Sequence, residues 1–134
     1  MLGVGALIFD DQRRILLIQR GGEPLKGWWS LPGGVLETGE TLADGIRREV
    51  KEETGLIVEP EQMMEVFERI MRDAEGRPEY HYVLIDYICR VTGGSLCPAD
   101  DCADARWTTR EDCSGLRITE GTLPVIERAW ERLA

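Results

Sequence analysis

The stretch GVLETGETLADGIRREVKEETGL, Gly34 to Leu56, decides how the rest of the chain is read, because it crowds four glutamates and an arginine around one helix end. Thr41 to Thr54 is predicted to be a helix. Thr41 and Asp44 form a T-x-x-D capping box, and Gly55 supplies the left-handed stop after the last turn. At about 100° per residue, Glu49, Glu52 and Glu53 share one arc with Leu42 and Ile46, so the carboxylates continue the core-facing stripe. Like charges three and four residues apart repel, and carboxylates at a helix C-terminus meet the negative end of the dipole; each effect costs on the order of 0.3–1 kcal/mol. Arg47 and Lys51 lie on the opposite side and do not interleave, which argues against an ordinary solvated face. A compensating cation is therefore expected. Arg48 can neutralise one glutamate, and three converging carboxylates are the hard-oxygen set that Mg²⁺ or Mn²⁺ prefers.

The same residues resemble the complete signature of the Nudix family, G-x5-E-x7-R-E-U-x-E-E-x-G-U with U aliphatic. Gly34, Glu40, Arg48, Glu49, Val50, Glu52, Glu53, Gly55 and Leu56 fill every specified position. The resemblance implies an α/β fold, an α/β/α sandwich around a mixed β-sheet, built as a single domain over residues 1–134. It also implies a metal-dependent hydrolysis of a nucleoside diphosphate linked to a group X, giving a nucleoside monophosphate and phosphorylated X. Its metal ligands would be Glu49, Glu52, Glu53 and a carbonyl of the glycine pair, here Gly33. Arg48 would orient a glutamate, and Glu40 would join the metal through water or brace the loop.

Composition bounds the partners. The chain has 134 residues, 43% of them hydrophobic, enough for one core. Sixteen basic residues against twenty-five acidic ones give a net charge of -9, which argues against a nucleic acid polymer as partner. A small phosphorylated nucleotide remains compatible if metal ions bridge it to the protein. No apolar run approaches the ~20 residues of a membrane span, and Met1 to Phe9 lacks the basic start of a signal peptide. A cytoplasmic protein without membrane contact is the expectation, with a homodimer left open. Cys89, Cys97, Cys102 and Cys113 have no C-x-x-C spacing and read as reduced thiols, Cys89 buried in a strand.

In chain order, Leu2 to Phe9 and Ile15 to Gln19 are β-branched runs joined by an Asp-rich turn, and read as a hairpin. Arg20 follows directly; in the family a basic residue here reaches the substrate, and pairing with a surface acid is the equal alternative. The Gly- and Pro-rich stretch from Gly21 to Gly34 is a loop that delivers the glycine pair. Trp28 is the candidate for stacking on a nucleobase, and Trp29 belongs in the core.

After the signature, Ile57 to Glu61 and Glu65 to Arg72 are strand material, the second an edge, followed by a turn over Asp73 to Pro78. Tyr80 to Cys89 is apolar enough to be central in the sheet. Its His81 is a candidate substrate contact, although a lone histidine at a strand entrance is more often a structural hydrogen-bonding residue. Thr92 to Gly94 is expected to turn the chain into a short strand, and Cys97 to Asp104 to form an acidic loop before a last strand over Ala105 to Thr108. In related enzymes an acid in this loop is a general base or extra ligand. Asp101 stands for a set of three with Asp100 and Asp104, among which the sequence does not choose and which equally suit a solvated tip. Leu123 to Leu133 closes the chain as a helix with Trp130 in the core.

For the substrate, Tyr80 to Trp107 is similar to the bacterial ADP-ribose pyrophosphatase-like subgroup, so ADP-ribose or a nucleotide sugar comes first. The proline that some ADP-ribose hydrolases carry about sixteen residues past the signature is Arg72 here. The alternatives are a (d)NTP or oxidised-nucleotide pyrophosphatase and, in another class, a nucleotide sensor without hydrolysis. Sensors of this family generally lose signature glutamates or gain a DNA-binding module, and this chain has done neither.

Overall fold

The computed structural model describes residues 1–133. Strand β1 (Leu2–Ile8) is apolar on both faces, so it needs cover on both sides and neighbours along both edges. It finds them in β4 (Gly33–Val35), antiparallel, and in β6 (Pro78–Gly94), parallel. The outer strand is β5 (Leu56–Arg72), giving a mixed sheet in the order β4-β1-β6-β5. A second, antiparallel sheet has β2 (Ile15–Arg20) between β3 (Trp29–Ser30) and β7 (Cys102–Thr108).

Helices close the two faces. Val4, Ala6, Ile8 and Leu16 pack with Ile46 and Val50 of α1 (Leu42–Thr54) on one side. Leu7, Ile15 and Leu17 pack with Val125, Ile126, Ala129 and Trp130 of α3 (Thr122–Leu133) on the other. Trp29 and Trp130 are both core residues, as expected, and the indole N–H of Trp130 donates to the Arg13 carbonyl at 2.7 Å. The α/β/α sandwich is therefore the architecture of the chain. Among the described residues no helix is long and apolar enough to cross a membrane.

Helix α1 has the predicted ends. The Thr41 hydroxyl accepts from the Asp44 N–H at 3.1 Å, and Gly55 sits at φ 78°, its N–H returning to the Lys51 carbonyl. A short α2 (Arg110–Cys113) was not anticipated, although Thr109 and Asp112 repeat the same T-x-x-D cap, with a 3.1 Å bond from the Asp112 N–H.

Three expectations are corrected. The β1/β2 hairpin exists only at its tip, where the Asp10 carboxylate accepts from the N–H groups of Gln12 and Arg14 and one Phe9–Ile15 bridge forms. Beyond it the strands part into different sheets, because each is apolar enough to be central in its own. The two pieces expected after the signature are one strand, β5; register shifts at Pro60/Gln62 and Met63/Glu65 leave Glu61 and Met64 out of the ladder and absorb the irregularity. No short strand follows Gly94: residues Thr92 to Gly94 stay in β6 against Leu56 to Val58, and β7 starts earlier than Ala105, at Cys102.

Candidate active site

The last two turns of α1 lie over β4, and the glycine pair makes this approach possible. A methyl group at Gly33 would stand 2.0 Å from the Val4 carbonyl oxygen. One at Gly34 would stand 2.6 Å from the carboxylate carbon of Glu49. The Gly33 N–H donates to Glu53 Oε1 at 2.9 Å.

Arg48 is the hub of the other carboxylates. Its Nε and Nη2 make a fork onto Glu40 at 2.7 and 2.9 Å, and Nη1 reaches Glu49 at 2.9 Å and Glu52 at 3.3 Å. Glu40 also accepts from the Glu37 N–H at 3.1 Å, so in this geometry it braces the loop before the helix. The Arg48 bond holds the Glu40 carboxyl below its usual range, and Glu40 and Glu49 hold the guanidinium firmly charged.

Burial acts the other way on the two inner glutamates. Desolvation raises Glu49, with Arg48 opposing. Glu53, only 8% exposed, is pushed up to about 8, chiefly by desolvation, against the Gly33 N–H that favours its charged form; neighbouring Glu49 and Asp100 add to the rise.

The loop from Ser95 to Asp101 completes the wall. It caps the C-terminus of α1: the N–H groups of Cys97 and Ala99 donate to the carbonyls of Thr54 and Glu53 at 2.7 and 3.0 Å. On its far side the Asp101 carbonyl accepts from the Gly21 N–H at 2.7 Å. This pins the loop between the two sheets. Asp100 and Asp101 line the cleft. Asp104 lies within β7 opposite Gln19, its carboxylate accepting from the Ala105 N–H at 2.8 Å.

The cleft between the sheets has a volume of about 630 Å³, of a size for a nucleotide. Six acidic residues line it, Glu23, Glu49, Glu52, Glu53, Asp100 and Asp101, against one basic residue, Arg20. Glu23 is an addition to the residues singled out in the sequence; Asp100 was one of the three candidate loop acids, and its left-handed backbone, at φ 54°, gave no sequence signal.

The fold brings Gly33, Glu49, Glu52, Glu53, Asp101 and Arg20 to this cleft, with Arg48 behind them, and leaves two candidates outside its lining. The Trp28 ring lies under the Arg117 guanidinium, 5.3 Å from its centroid. His81 is carried by β6 to a position opposite Ile70, where it pairs with Glu68 at 2.7 Å. One further expectation changes: among the described residues no three His, Cys, Asp or Glu side chains already converge into a cage. Arg48 holds Glu49 and Glu52, while the Gly33 N–H holds Glu53, so the glutamates share a cleft but not a point. The four cysteines are free thiols, with Cys89, Cys102 and Cys113 buried.

A sandwich whose helix carries this carboxylate row beside a glycine pair defines a class, and comparison with known proteins agrees. A sequence profile described as the NUDIX domain matches residues 1–128, and the chain belongs to the Nudix family of hydrolases. It is 40% identical over 100 residues to an ADP-ribose pyrophosphatase of Methanocaldococcus jannaschii, an alignment covering 75% of this chain and 57% of that protein. It is also 40% identical over 91 residues to the human 8-oxo-dGDP phosphatase NUDT18, covering 68% of this chain and 25% of that one. The chain thus spans little more than half of the first relative and a quarter of the second. Among solved structures, the Nudix domain of Shewanella oneidensis NrtR complexed with ADP ribose superposes with a TM-score of 0.79 at 27% identity, covering 100% of this chain and 88% of that one.

Proposed function

We propose that the chain is a divalent-metal-dependent pyrophosphohydrolase of nucleoside diphosphates linked to X, with ADP-ribose or a nucleotide sugar as substrate. The observation that carries this reading is the charge of the cleft. A nucleotide-sized opening with six carboxylates and one arginine repels a pyrophosphate unless cations accompany it. The donor set fits Mg²⁺ or Mn²⁺: carboxylate oxygens, a backbone carbonyl at Gly33, and in Glu53 a buried acid without a cationic side chain bonded to it. Bound by Glu49, Glu52, Glu53 and Gly33, such a cation supplies charge neutralisation of the pyrophosphate and acidifies a water.

The protein's own groups divide the remaining work. Arg48 fixes the direction of Glu49 and, through Glu40, the loop before the helix. Arg20, at the end of β2, binds phosphate oxygens from the opposite wall. Asp101, with Asp100 beside it, takes the proton as water attacks phosphorus. One P–O bond of the anhydride breaks, and the products are a nucleoside monophosphate and phosphorylated X. The likeness to the M. jannaschii enzyme and to the ADP-ribose complex supports ADP-ribose as the first substrate. The likeness to NUDT18 supports oxidised nucleotides as the second reading.

The test is phosphate release, with and without a coupling phosphatase, from ADP-ribose, nucleotide sugars, dinucleoside polyphosphates and (d)NTPs, including 8-oxo forms, in Mg²⁺, Mn²⁺ or chelator. Metal-dependent conversion of ADP-ribose to AMP is expected. Preference for an oxidised nucleotide promotes the second reading, and nucleotide binding without turnover replaces both with a sensor.

A further inference from the structure

A second concavity, of about 350 Å³, opens between the turn before β2, the residues that begin α2, and Trp130 of α3. Its charge is the reverse of the cleft's: Arg13, Arg14 and Arg110 line it against one acid, Glu111. On a molecule of net charge -9 a locally basic hollow is an exception, and it marks where an anion can approach.

Trp130 gathers the arginines. Its indole N–H donates to the Arg13 carbonyl at 2.7 Å, and the Arg110 guanidinium lies over its ring, 5.0 Å from the centroid. The turn is also fixed from within. The Arg13 N–H returns to the Asp10 carbonyl at 2.9 Å, and Arg13 stands at φ 60°, a left-handed conformation that such a residue keeps only where its surroundings impose it. The neighbouring acids leave donors free. Asp10 bonds Arg14 through Nε at 2.7 Å, and Glu127 meets Arg110 through Nη2 at 3.0 Å. A guanidinium carries five N–H donors, so both arginines keep others, and Arg13 forms no ion pair among the described residues.

Charge and shape identify the ligand. Guanidinium forks fit the oxygens of carboxylates and phosphates. A phosphate monoester brings a charge of about −1.5 to −2 at pH 7 and three strong acceptor oxygens, enough to meet three guanidinia at once; a carboxylate brings one charge and two oxygens. We propose that this hollow binds the phosphate group of a phosphate monoester through Arg13, Arg14 and Arg110, as a site separate from the cleft. Strand β2 keeps the two apart, because the turn precedes Ile15 and the cleft's Arg20 ends the strand, about 17 Å away at the rise of an extended chain.

Calorimetric titration of the whole chain in EDTA, at constant ionic strength, tests the site with inorganic phosphate and with AMP, and acetate serves as control. Chelation leaves the acidic cleft without the cations that a phosphate would need there, so saturable one-to-one binding belongs to the arginines. Both phosphates are expected to bind; tighter binding of AMP identifies an organic ester as the ligand, and equal affinities identify the phosphate group alone. Arg13→Gln removes a guanidinium without an ion-pair partner and should weaken binding by about tenfold or more, while Arg20→Gln, in the cleft, should leave it unchanged. Absence of saturation by about 10 mM of either phosphate, acetate bound as tightly, or binding that responds to Arg20→Gln and not to Arg13→Gln overturns the inference.

Discussion

Glu53 and Asp86 are the two buried acids whose protonation the fold resists losing, and their surroundings set different expectations. Glu53 accepts one backbone bond, from Gly33, and faces the cleft. Glu53→Gln keeps an oxygen for that N–H and removes the charge. Metal-dependent turnover should fall by at least about 10³-fold while the unfolding midpoint stays within a degree or two; near-full activity would remove Glu53 from the ligand set. Asp86 lies on the α3 side of β6, against Gly5, far from that role. Burial, aided by Glu65, raises its pKa from 3.8 to about 6. The fold therefore tolerates the neutral acid better than the ion. Stability linked to this group is full below pH 3.8 and is lost as pH rises through about 6. Asp86→Asn should raise the unfolding free energy measured by urea titration at pH 8 by on the order of 2–3 kcal/mol, and leave it unchanged at pH 4. An equal gain at both pH values would sink this account.

Among the elements, α1 was legible almost to the residue because its signals are local. Thr41, Asp44 and Gly55 determine the ends within one turn of themselves, whatever the sheet does. The same reasoning applied to Thr109 and Asp112 would have found α2. The partners of β1 and β2 were not legible: a turn such as Asp10 to Arg13 specifies that the chain reverses, not which sheet each strand joins. The parallel pairing of Leu2 to Ile8 with Val83 to Cys89 links residues about 80 apart, where no local rule reaches. The placement of Asp100 and Asp101 on the cleft, with Asp104 in β7, was equally hidden, since it depends on amides of the loop satisfying the end of a helix more than forty residues earlier. Helix and glycine pair form one device. Gly33→Ala would drive a methyl into the Val4 carbonyl, and should cost about 3 kcal/mol by urea titration and lower kcat together with stability. Loss of neither would mean that β4 can move away from β1 without consequence.

For the molecule as a whole, the two numbers that matter are its net charge of -9 and the six-to-one acidic balance of the cleft. The first was plain in the composition; the second required the fold, because Glu23, Asp100 and Asp101 come from loops on the far wall. Together they predict the response to chelation. Treatment with EDTA should abolish turnover, and Mg²⁺ or Mn²⁺ should restore it. The metal should also raise the thermal unfolding midpoint, since it binds the folded cleft and relieves repulsion there. An unchanged midpoint, with turnover persisting in chelator, would refute the proposed role of the carboxylates.

The bonds from Cys97 and Ala99 to the last carbonyls of α1 have a consequence for motion. A segment without regular structure ordinarily exchanges its amide hydrogens within seconds, while a helix resists for far longer. Here the two amides are the helix's own terminal partners, so they can exchange only when its final turn opens. Their protection should match that of Glu53 and Thr54 rather than that of the neighbouring Ser95 and Leu96. The acid-bearing loop and the end of α1 would then breathe as one body, so that the glutamates and Asp100 keep their spacing while the cleft fluctuates.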